Sequence, residues 1–314
     1  MNVLIDTDCG TDDLMGITYL VSHPDVKITG VTTVHGLTST SVGATNVRRL
    51  LNRLGASSVP VFAGSEFPIG RPCAFPTDWR LQAESLSGVS LPLATDRTTA
   101  ISAVEFIADQ LRASGPPIIL ALGPWTNIEY AIESIGLSFE PKSLNLFAMG
   151  GAFDTHGNVL SDAIGGDPDP HAEWNFYLDP IAVMRVLARG VIPTLVPLDA
   201  TKTAAIRPSL MNALSGEKGT EASRLVREII RSVENWIEEG HYFAWDAVAA
   251  VLLLNPEIGN LLPQSIKIST EGDFAGRTQR VSGGFNTMCF MNTDTDSFER
   301  EFLSKLLHSP ASPR

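Results

Sequence analysis

Short apolar runs alternate with amphipathic stretches of helical length along the first part of the chain. Residues 3–5, 26–34 and 59–62 are apolar or rich in β-branched side chains, which predicts three strands. Residues 14–21 and 43–54 lie between them, and their spacing predicts helices. Because strands that alternate with helices are joined by right-handed crossovers, this order predicts a mainly parallel sheet.

The same alternation returns after an irregular stretch. Residues 64–95 and 152–173 are punctuated by Gly and Pro and are predicted as long loops, which in a compact domain are usually functional. Further predicted strands cover residues 117–122, 144–149, 192–196, 266–268, 277–281 and 287–291. Further predicted helices cover residues 100–112, 126–135, 180–189, 208–215, 220–239 and 246–254, and a last helix begins at Asp296 with Glu299 as its capping-box partner.

No internal repeat or low-complexity linker interrupts the chain, so one domain over residues 1–314 is expected. We predict an α/β fold in which a mostly parallel sheet is flanked by helices on both faces. The hydrophobic content of 44% is sufficient for a large core.

Four carboxylates follow the first predicted strand, at Asp6, Asp8, Asp12 and Asp13. Ligands of open α/β sheets bind at the carboxyl ends of the strands, where this acidic turn is expected to lie. Two carboxylates about 5 Å apart repel by ~3 kcal/mol at an effective dielectric constant near 20. Helix capping explains one or two acids at such a position, but four in eight residues favour a hard cation, Ca²⁺ or Mg²⁺.

The charge and the cysteine content argue against several classes of protein. The formal net charge is −12 and no run of Lys or Arg exceeds two residues, which argues against a nucleic-acid partner. Cys9, Cys73 and Cys289 lie far apart, so neither a zinc site nor a disulfide framework is indicated. No apolar stretch approaches the roughly 20 residues that cross a membrane, and no signal peptide is evident. A cytoplasmic protein without a membrane partner is therefore expected.

Polar residues also collect at other predicted strand ends. The segments are GPWTN at 123–127, MGGAF at 149–153, EWN at 173–175 and the pair Trp245 and Asp246. Each has an ordinary structural explanation, as a helix cap, a tight turn or a core aromatic residue. Their joint occurrence at successive strand ends favours a site.

Together with the acidic turn, these segments resemble the nucleoside hydrolase family, the calcium-dependent N-ribohydrolases. The matching pieces stand in family order, cover about residues 1–255 and include DTDCGTDD at 6–13 and the Gly-Gly and Glu-x-Asn segments. The resemblance implies a mostly parallel sheet with helices on both sides, and a small nucleoside as the substrate. It also implies a homodimer or homotetramer, by analogy alone.

The resemblance implies a Ca²⁺ site and a catalytic base. Asp8, Asp13, the backbone carbonyl of Thr126 and Asp246 would hold the cation. Asp8 would also accept a proton from a calcium-bound water that attacks C1′ of the sugar. Asp6 would lie behind these ligands as a supporting acid.

The resemblance also implies how the ribose is held. Asp12 would bind the 2′-hydroxyl, and Asn158, Glu173 and Asn175 would bind the 5′-hydroxyl and its neighbours. A rigid grip of this kind orients the sugar and can supply several kcal/mol of the barrier.

The leaving base is expected to be a purine. Trp245 stands where many relatives have His, which resembles a purine-specific branch in which two Trp rings enclose the base. Trp79, in the long irregular stretch, is the expected second ring, and Tyr242 or His241 would assist. Stacking would raise the basicity of the purine, so that it leaves protonated. Leu37 stands where the family usually has Asn, which removes a polar contact near the sugar.

Other functions stay open at this point. A haloacid-dehalogenase-type phosphatase has an Asp-x-Asp-Gly-Thr motif, but Cys9 breaks that spacing here. A hydrolase of pyrimidine or modified nucleosides and a non-catalytic nucleoside-binding protein are the remaining alternatives.

Overall fold

One sheet of nine strands runs through the computed structural model, which describes residues 1–70, 73–93, 101–165, 169–214 and 219–308. In chain order the strands are β1 Asn2–Thr7, β2 Lys27–Thr33, β3 Val61–Ala63, β4 Ile118–Ala121, β5 Asn145–Met149, β6 Thr194–Val196, β7 Gly259–Ile268, β8 Thr278–Arg280 and β9 Phe285–Thr293. Their order across the sheet is β3-β2-β1-β4-β5-β6-β9-β7-β8. The pairings from β3 through β9 are parallel, whereas β7 pairs antiparallel with both β9 and β8. The predicted, mostly parallel sheet is confirmed.

Helices cover both faces of the sheet. They are α1 Thr11–Ser22, α2 Thr40–Arg53, α3 Thr77–Glu84, α4 Ala103–Arg112, α5 Thr126–Ile135, α6 Ser161–Ile164, α7 Trp174–Leu178, α8 Pro180–Ala188, α9 Leu198–Thr201, α10 Pro208–Leu214, α11 Glu221–Ser232, α12 Glu234–Glu238, α13 Trp245–Leu254 and α14 Thr295–Leu306. Within the described ranges, none of them combines the length and the apolar character that crossing a membrane requires.

The core forms two layers because side chains alternate across a strand. Val3 and Ile5 of β1 pack with α1, α2, α11, α13 and α14 on one face of the sheet. Leu4, between them, packs with α4, α5 and α8 on the other face. The helices on both faces that the sequence predicts are confirmed.

Several predicted elements differ from the observed ones. The irregular stretch 64–95 contains α3, whose single fully buried residue, Ala83, leaves no apolar periodicity to detect. The helix predicted for 220–239 is broken at Val233, where φ is −121°. The predicted capping box of the last helix is wrong, since Asp294 is the cap and its side chain accepts the Ser297 N–H at 2.8 Å. Residues 71–72, 94–95, 100, 166–168 and 215, which fall within predicted segments, lie outside the described residues.

Asp296 and Glu299 have another role in the structure. Both lie within α14 and accept hydrogen bonds from Arg207, at 2.7 Å and 2.8 Å respectively. These ion pairs join the loop before α10 to α14, so the two acids bind a neighbouring segment instead of capping their own helix.

Candidate active site

The acidic turn after β1 is tightly folded. Cys9 has φ +63°, in the left-handed region that non-glycine residues rarely adopt, and its side chain is buried. Asp13, in the first turn of α1, accepts the backbone N–H of Gly10 at 2.9 Å and the hydroxyl of Thr7. Asp13 therefore does cap its helix, and the same side chain faces the other acids described below.

Asp8 is fixed by the segment that follows β2. The N–H of Leu37 donates to Asp8 Oδ2 at 2.9 Å, and the hydroxyl of Thr38 donates to the Asp8 carbonyl at 2.9 Å. A Cβ at Gly36 would lie 2.0 Å from Asp8 Oδ2, and one at Gly123 would lie 3.2 Å from the Asp8 Cβ. Position 36 therefore requires glycine, because its backbone passes directly against the carboxylate, and Gly123 passes close to the Asp8 backbone and Cβ.

Asp12, Asp13 and Asp246 form a buried carboxylate cluster, in which one oxygen of each lies within 4.8 Å of the others. Burial, and then repulsion from Asp13, raise the pKa of Asp12 to about 8 and raise the pKa of Asp8 and Asp246 well above the usual range. Asp246 Oδ1 is buried without a hydrogen-bond partner within the described part of the protein. Crowded, all-oxygen donors with an unpartnered buried atom fit a hard divalent cation.

Asp6 lies behind this cluster, at the end of β1. Its Oδ1 accepts the hydroxyl of Thr32 at 2.6 Å and the amide of Asn127 at 2.8 Å. Burial raises the pKa of Asp6 to about 7, although both hydrogen bonds lower it. Asp6 does not line the cavity described below, in keeping with a supporting position.

Thr126 lies apart from the carboxylate cluster. Its hydroxyl donates to Asp179 Oδ2 at 2.6 Å and lies 2.8 Å from His35 Nε2, and the residue does not line the cavity. As the first residue of α5, Thr126 directs its carbonyl into its own helix. Leu122, immediately after β4, lines the cavity instead, and its carbonyl accepts the Asn175 amide at 3.3 Å. A backbone carbonyl carries no side-chain signal, so the sequence did not indicate Leu122.

Three of the predicted sugar-binding residues lie along one side of the same cavity. Glu173 caps α7, accepting N–H groups from Asn175 at 2.9 Å and Gly151 at 3.0 Å, and burial raises its pKa to about 7. The Asn175 amide donates to the Met149 carbonyl at 3.2 Å. Asn158 accepts the N–H of Trp174 at 3.0 Å. These contacts leave each side chain in a fixed orientation.

The cavity measures about 510 Å³ and is lined by two kinds of side chain. We call its acidic and amide residues the carboxylate side and its aromatic residues the aromatic side. The predicted base-binding residues Trp79, Trp245, Tyr242 and His241 all line the cavity, and so do Phe75, Trp174 and Trp236. Leu37 also lines the cavity and contacts the aromatic cluster around Phe75 and Trp174.

The aromatic rings meet edge to face. Trp79 lies 5.4 Å from Trp236 between ring centroids, and Trp245 lies 5.3 Å from Tyr242. The Tyr242 hydroxyl is 2.8 Å from that of Thr11. The predicted site does not include Trp236, because this residue lies within the polar helix predicted for residues 220–239. A Trp among acidic residues, five positions before His241, is the feature of the sequence that could have indicated it.

A mostly parallel sheet with a cavity at the carboxyl ends of its strands is the architecture of an α/β protein that binds a small molecule there. Residues 3–300 match the sequence profile described as inosine-uridine preferring nucleoside hydrolase. The chain belongs to this family and is a nucleoside hydrolase, as the sequence motifs indicated.

Individual relatives differ in the base that their names specify. Uridine nucleosidase 1 of Arabidopsis thaliana is 31% identical over 286 residues, which cover 90% of this chain and 82% of that protein. Among solved structures, a plant nucleoside hydrolase has a TM-score of 0.84 with 21% identity over 99% of both chains. The purine-preferring ribonucleoside hydrolase from Gardnerella vaginalis has a TM-score of 0.82 with 22% identity over 98% of both chains.

Proposed function

We propose that the protein hydrolyses the N-glycosidic bond of ribonucleosides to free base and ribose, prefers purines, and depends on Ca²⁺. The observation that supports this most is that buried carboxylates and tryptophan rings line the same cavity. The acidic side suits a cation and a ribose, and the aromatic side suits a flat base.

Asp8, Asp13 and Asp246 are the residues that we assign to the cation. Leu122 supplies the backbone carbonyl in this proposal, in place of Thr126, since Leu122 lines the cavity with these acids and Thr126 does not. When bound, the cation supplies polarisation of a water molecule, which makes that water a better nucleophile at neutral pH. A calcium-soaked crystal tests the assignment: density beside the Thr126 carbonyl would contradict it.

Asp8 is the general base in this proposal. Its Oδ2 is held by the Leu37 N–H, so the carboxylate has one orientation from which to accept the proton of the attacking water. Attack at C1′ breaks the bond to the base through an oxocarbenium-like transition state. Asp12 and the other buried carboxylates stabilise the positive charge that develops on the sugar.

Asp12, Asn158, Glu173 and Asn175 orient the ribose. Their hydrogen bonds to the surrounding backbone fix their side chains before the substrate arrives, so less entropy is lost on binding. Asp12 is assigned to the 2′-hydroxyl because it lies in the carboxylate cluster. The anomeric carbon must lie beside this cluster for the reaction, and the 2′-hydroxyl is carried by the next carbon of the ring.

Trp79 and Trp245 stack on the base in this proposal. A stacked purine gains basicity and leaves as a protonated base, and Tyr242 and His241 line the same cavity and offer hydrogen-bonding groups to it. Smaller pyrimidine rings would contact less of this aromatic surface.

A substrate panel tests the proposal. Inosine, adenosine, guanosine, uridine and cytidine are incubated with the enzyme, with Ca²⁺ or with a chelator, and the released base is measured. We expect purines to be cleaved fastest, chelation to abolish turnover, and Trp245→Ala to lower purine kcat/KM by about tenfold, equivalent to ~1.4 kcal/mol of stacking.

Other results would favour an alternative. Equal cleavage of uridine and inosine, with Trp245→Ala unchanged, would contradict the purine preference and favour the pyrimidine activity that the Arabidopsis relative's name specifies. Release of no base from any of the five would leave modified nucleosides or a non-catalytic binding protein, for which the apolar Leu37 side chain in the cavity lining is the supporting observation.

A further inference from the structure

Two separate segments carry most of the aromatic rings that line the cavity, and Trp174 lies outside both. The first wall comprises residues 73–93, with Trp79 on α3, and the second wall comprises residues 221–245, with Trp236 on α12. The walls meet inside the cavity at the edge-to-face contact of these two rings, whose centroids are 5.4 Å apart. The distance between the walls therefore sets the space that is open to a base.

Polar side chains of α2 hold the first wall from outside. They donate to backbone carbonyls of the wall, which accept whatever the residue type. These bonds join Asn46 to the Glu84 carbonyl (3.0 Å), Arg49 to the Leu91 carbonyl (2.7 Å) and Asn52 to the Leu93 carbonyl (3.3 Å). In addition, the Ser39 N–H at the start of α2 donates to the Glu84 carboxylate at 3.0 Å. The first wall is thus attached to α2 by hydrogen bonds along its length, in addition to the apolar packing of Leu86, Val89 and Leu91 in the core.

Arg53, the last residue of α2, contacts both walls. Its Nη1 donates to the Ser90 carbonyl of the first wall at 3.1 Å. The same guanidinium reaches the second wall through Glu221, at 2.6 Å from Nε, and through a bidentate pair with Glu228 at 2.7 Å and 2.8 Å. The Arg53 side chain is only 12% exposed, whereas the Glu221 and Glu228 side chains are 41% and 40% exposed, so the guanidinium is largely buried and its partners lie at the surface.

The chemistry of arginine suits this position. A planar guanidinium presents five N–H donors in a fixed arrangement, and here they reach one carbonyl and two carboxylates in different directions. Glu221 and Glu228 are seven residues apart and therefore lie on one face of α11, two turns from each other. A lysine has a single nitrogen and cannot span these partners.

We propose that Arg53 is a positioning residue for the base: it fixes the two aromatic walls relative to each other and so sets the width of the base-binding space. This inference rests on the proposed role of the walls in base binding. Arg53 does not line the cavity, and it acts through the segments that carry Trp79 and Trp236.

The experiment compares Arg53→Met with Arg48→Met. Arg48 lies on the same helix and donates to the Val61 carbonyl of β3 at 3.0 Å, so it contacts neither wall. For Arg53→Met we expect KM for inosine to rise about tenfold while kcat stays within about threefold, because binding of the base is weakened and the carboxylate side is untouched. For Arg48→Met both constants should stay near those of the unmodified enzyme, and Arg53→Lys should resemble Arg53→Met.

Free ribose separates positioning of the base from general damage. Ribose uses only the carboxylate side, so its inhibition constant should stay within about twofold in Arg53→Met. An equal loss for ribose and inosine, or a lower melting temperature with an unchanged inosine KM, would overturn the proposal. If Arg53→Met does not fold, Glu228→Gln takes its place, because its carboxylate is 40% exposed and it removes one bidentate partner.

Binding of free hypoxanthine, followed by quenching of tryptophan fluorescence, distinguishes failure here from failure of the proposed function. If the unmodified enzyme releases no base from nucleosides but hypoxanthine binds it more tightly than Arg53→Met, the positioning role stands and the proposed reaction fails. If hypoxanthine binds both equally, the positioning role is wrong, whatever the activity.

Discussion

Asp8 is held so closely by its surroundings that its orientation is decided before any ligand binds. Leu37 donates to its carboxylate, Thr38 donates to its carbonyl, and the backbone at Gly36 passes directly against the carboxylate. Preorganisation of this kind lets a carboxylate act as a base without a rearrangement during the reaction.

Replacing the base should remove turnover while leaving the fold intact. For Asp8→Asn we expect kcat to fall about 10²- to 10⁴-fold, the usual contribution of general acid–base catalysis. Steady-state kinetics with the best nucleoside measures this, with Asp25→Asn on the exposed loop after α1 as the control. Activity of Asp8→Asn within about threefold of the unmodified enzyme would refute the assignment.

The candidate site residues that can be predicted from the sequence are mainly those whose side chains carry the chemistry. Four acids in one turn are visible without a structure because their mutual repulsion demands an explanation. The Leu122 carbonyl and the glycines beside Asp8 could not be predicted in this way, because their contribution comes from the path of the backbone and not from a side chain. Trp79 and Trp245 were found by resemblance, and their contacts with Trp236 and Tyr242 depend on folding of distant segments.

At the scale of elements, the contact between α1 and α13 assembles the carboxylate cluster. Asp12 and Asp13 come from the first turn of α1, and Asp246 comes from the first turn of α13. Gly16 lets the helices approach, because a Cβ there would lie 3.0 Å from the Asp246 carbonyl oxygen. The spacing of the acids therefore depends on a residue without a side chain.

Enlarging Gly16 should separate the two helices and loosen the cation site. For Gly16→Val we expect calcium affinity to fall about tenfold, or ~1.4 kcal/mol, by titration calorimetry. Valine is a better helix former than glycine, so a loss cannot come from α1 itself. Thr18→Val, one half-turn further along α1, removes only a bond to the Leu14 carbonyl and serves as the control. Equal affinity in both variants would mean that the helix contact does not set the site.

Elements with apolar periodicity were predicted well, and those held by polar contacts were not. The helix predicted for residues 126–135 matches α5, whereas α3 was read as loop because it attaches to α2 through carbonyl groups and buries only Ala83 fully. Likewise β7 runs for ten residues, with a burial pattern too mixed for the sequence to mark its beginning.

On the scale of the whole molecule, several acidic side chains are buried in and around the cavity of a chain whose formal net charge is already −12. Burial raises the pKa of Asp6 and Glu173 to about 7 and that of Asp12 to about 8, compared with the usual ~4. Each raised pKa means that the folded protein prefers the protonated form, so ionisation opposes folding when no cation is bound.

Stability without metal should therefore decrease as the pH rises. Below about pH 4 these carboxyls are protonated in both states and their contribution to stability is fully present; it is lost as the pH rises towards 8. Thermal unfolding in chelator should give a melting temperature that falls between pH 5 and pH 8, and Ca²⁺ should raise it most at pH 8. A melting temperature in chelator that rises over this interval would contradict the expectation, and Asp12→Asn should reduce the fall.

The order of strands and the assembly state lie beyond local sequence patterns. The alternation of strands and helices was sufficient for a parallel sheet, but the insertion of β9 between β6 and β7 depends on contacts between distant segments. The homodimer or homotetramer expected from the resemblance stays a prediction.

The carboxylates of the cluster come from segments that are more than 200 residues apart in the sequence, and this separation has a consequence for biosynthesis. Asp12 and Asp13 leave the ribosome early, but Asp246 follows only after most of the sheet has been made. Long-range contacts of this kind form late in folding. Calcium should therefore slow unfolding of the finished protein without accelerating its early folding steps, and a nascent chain lacking α13 would be unable to retain the ion.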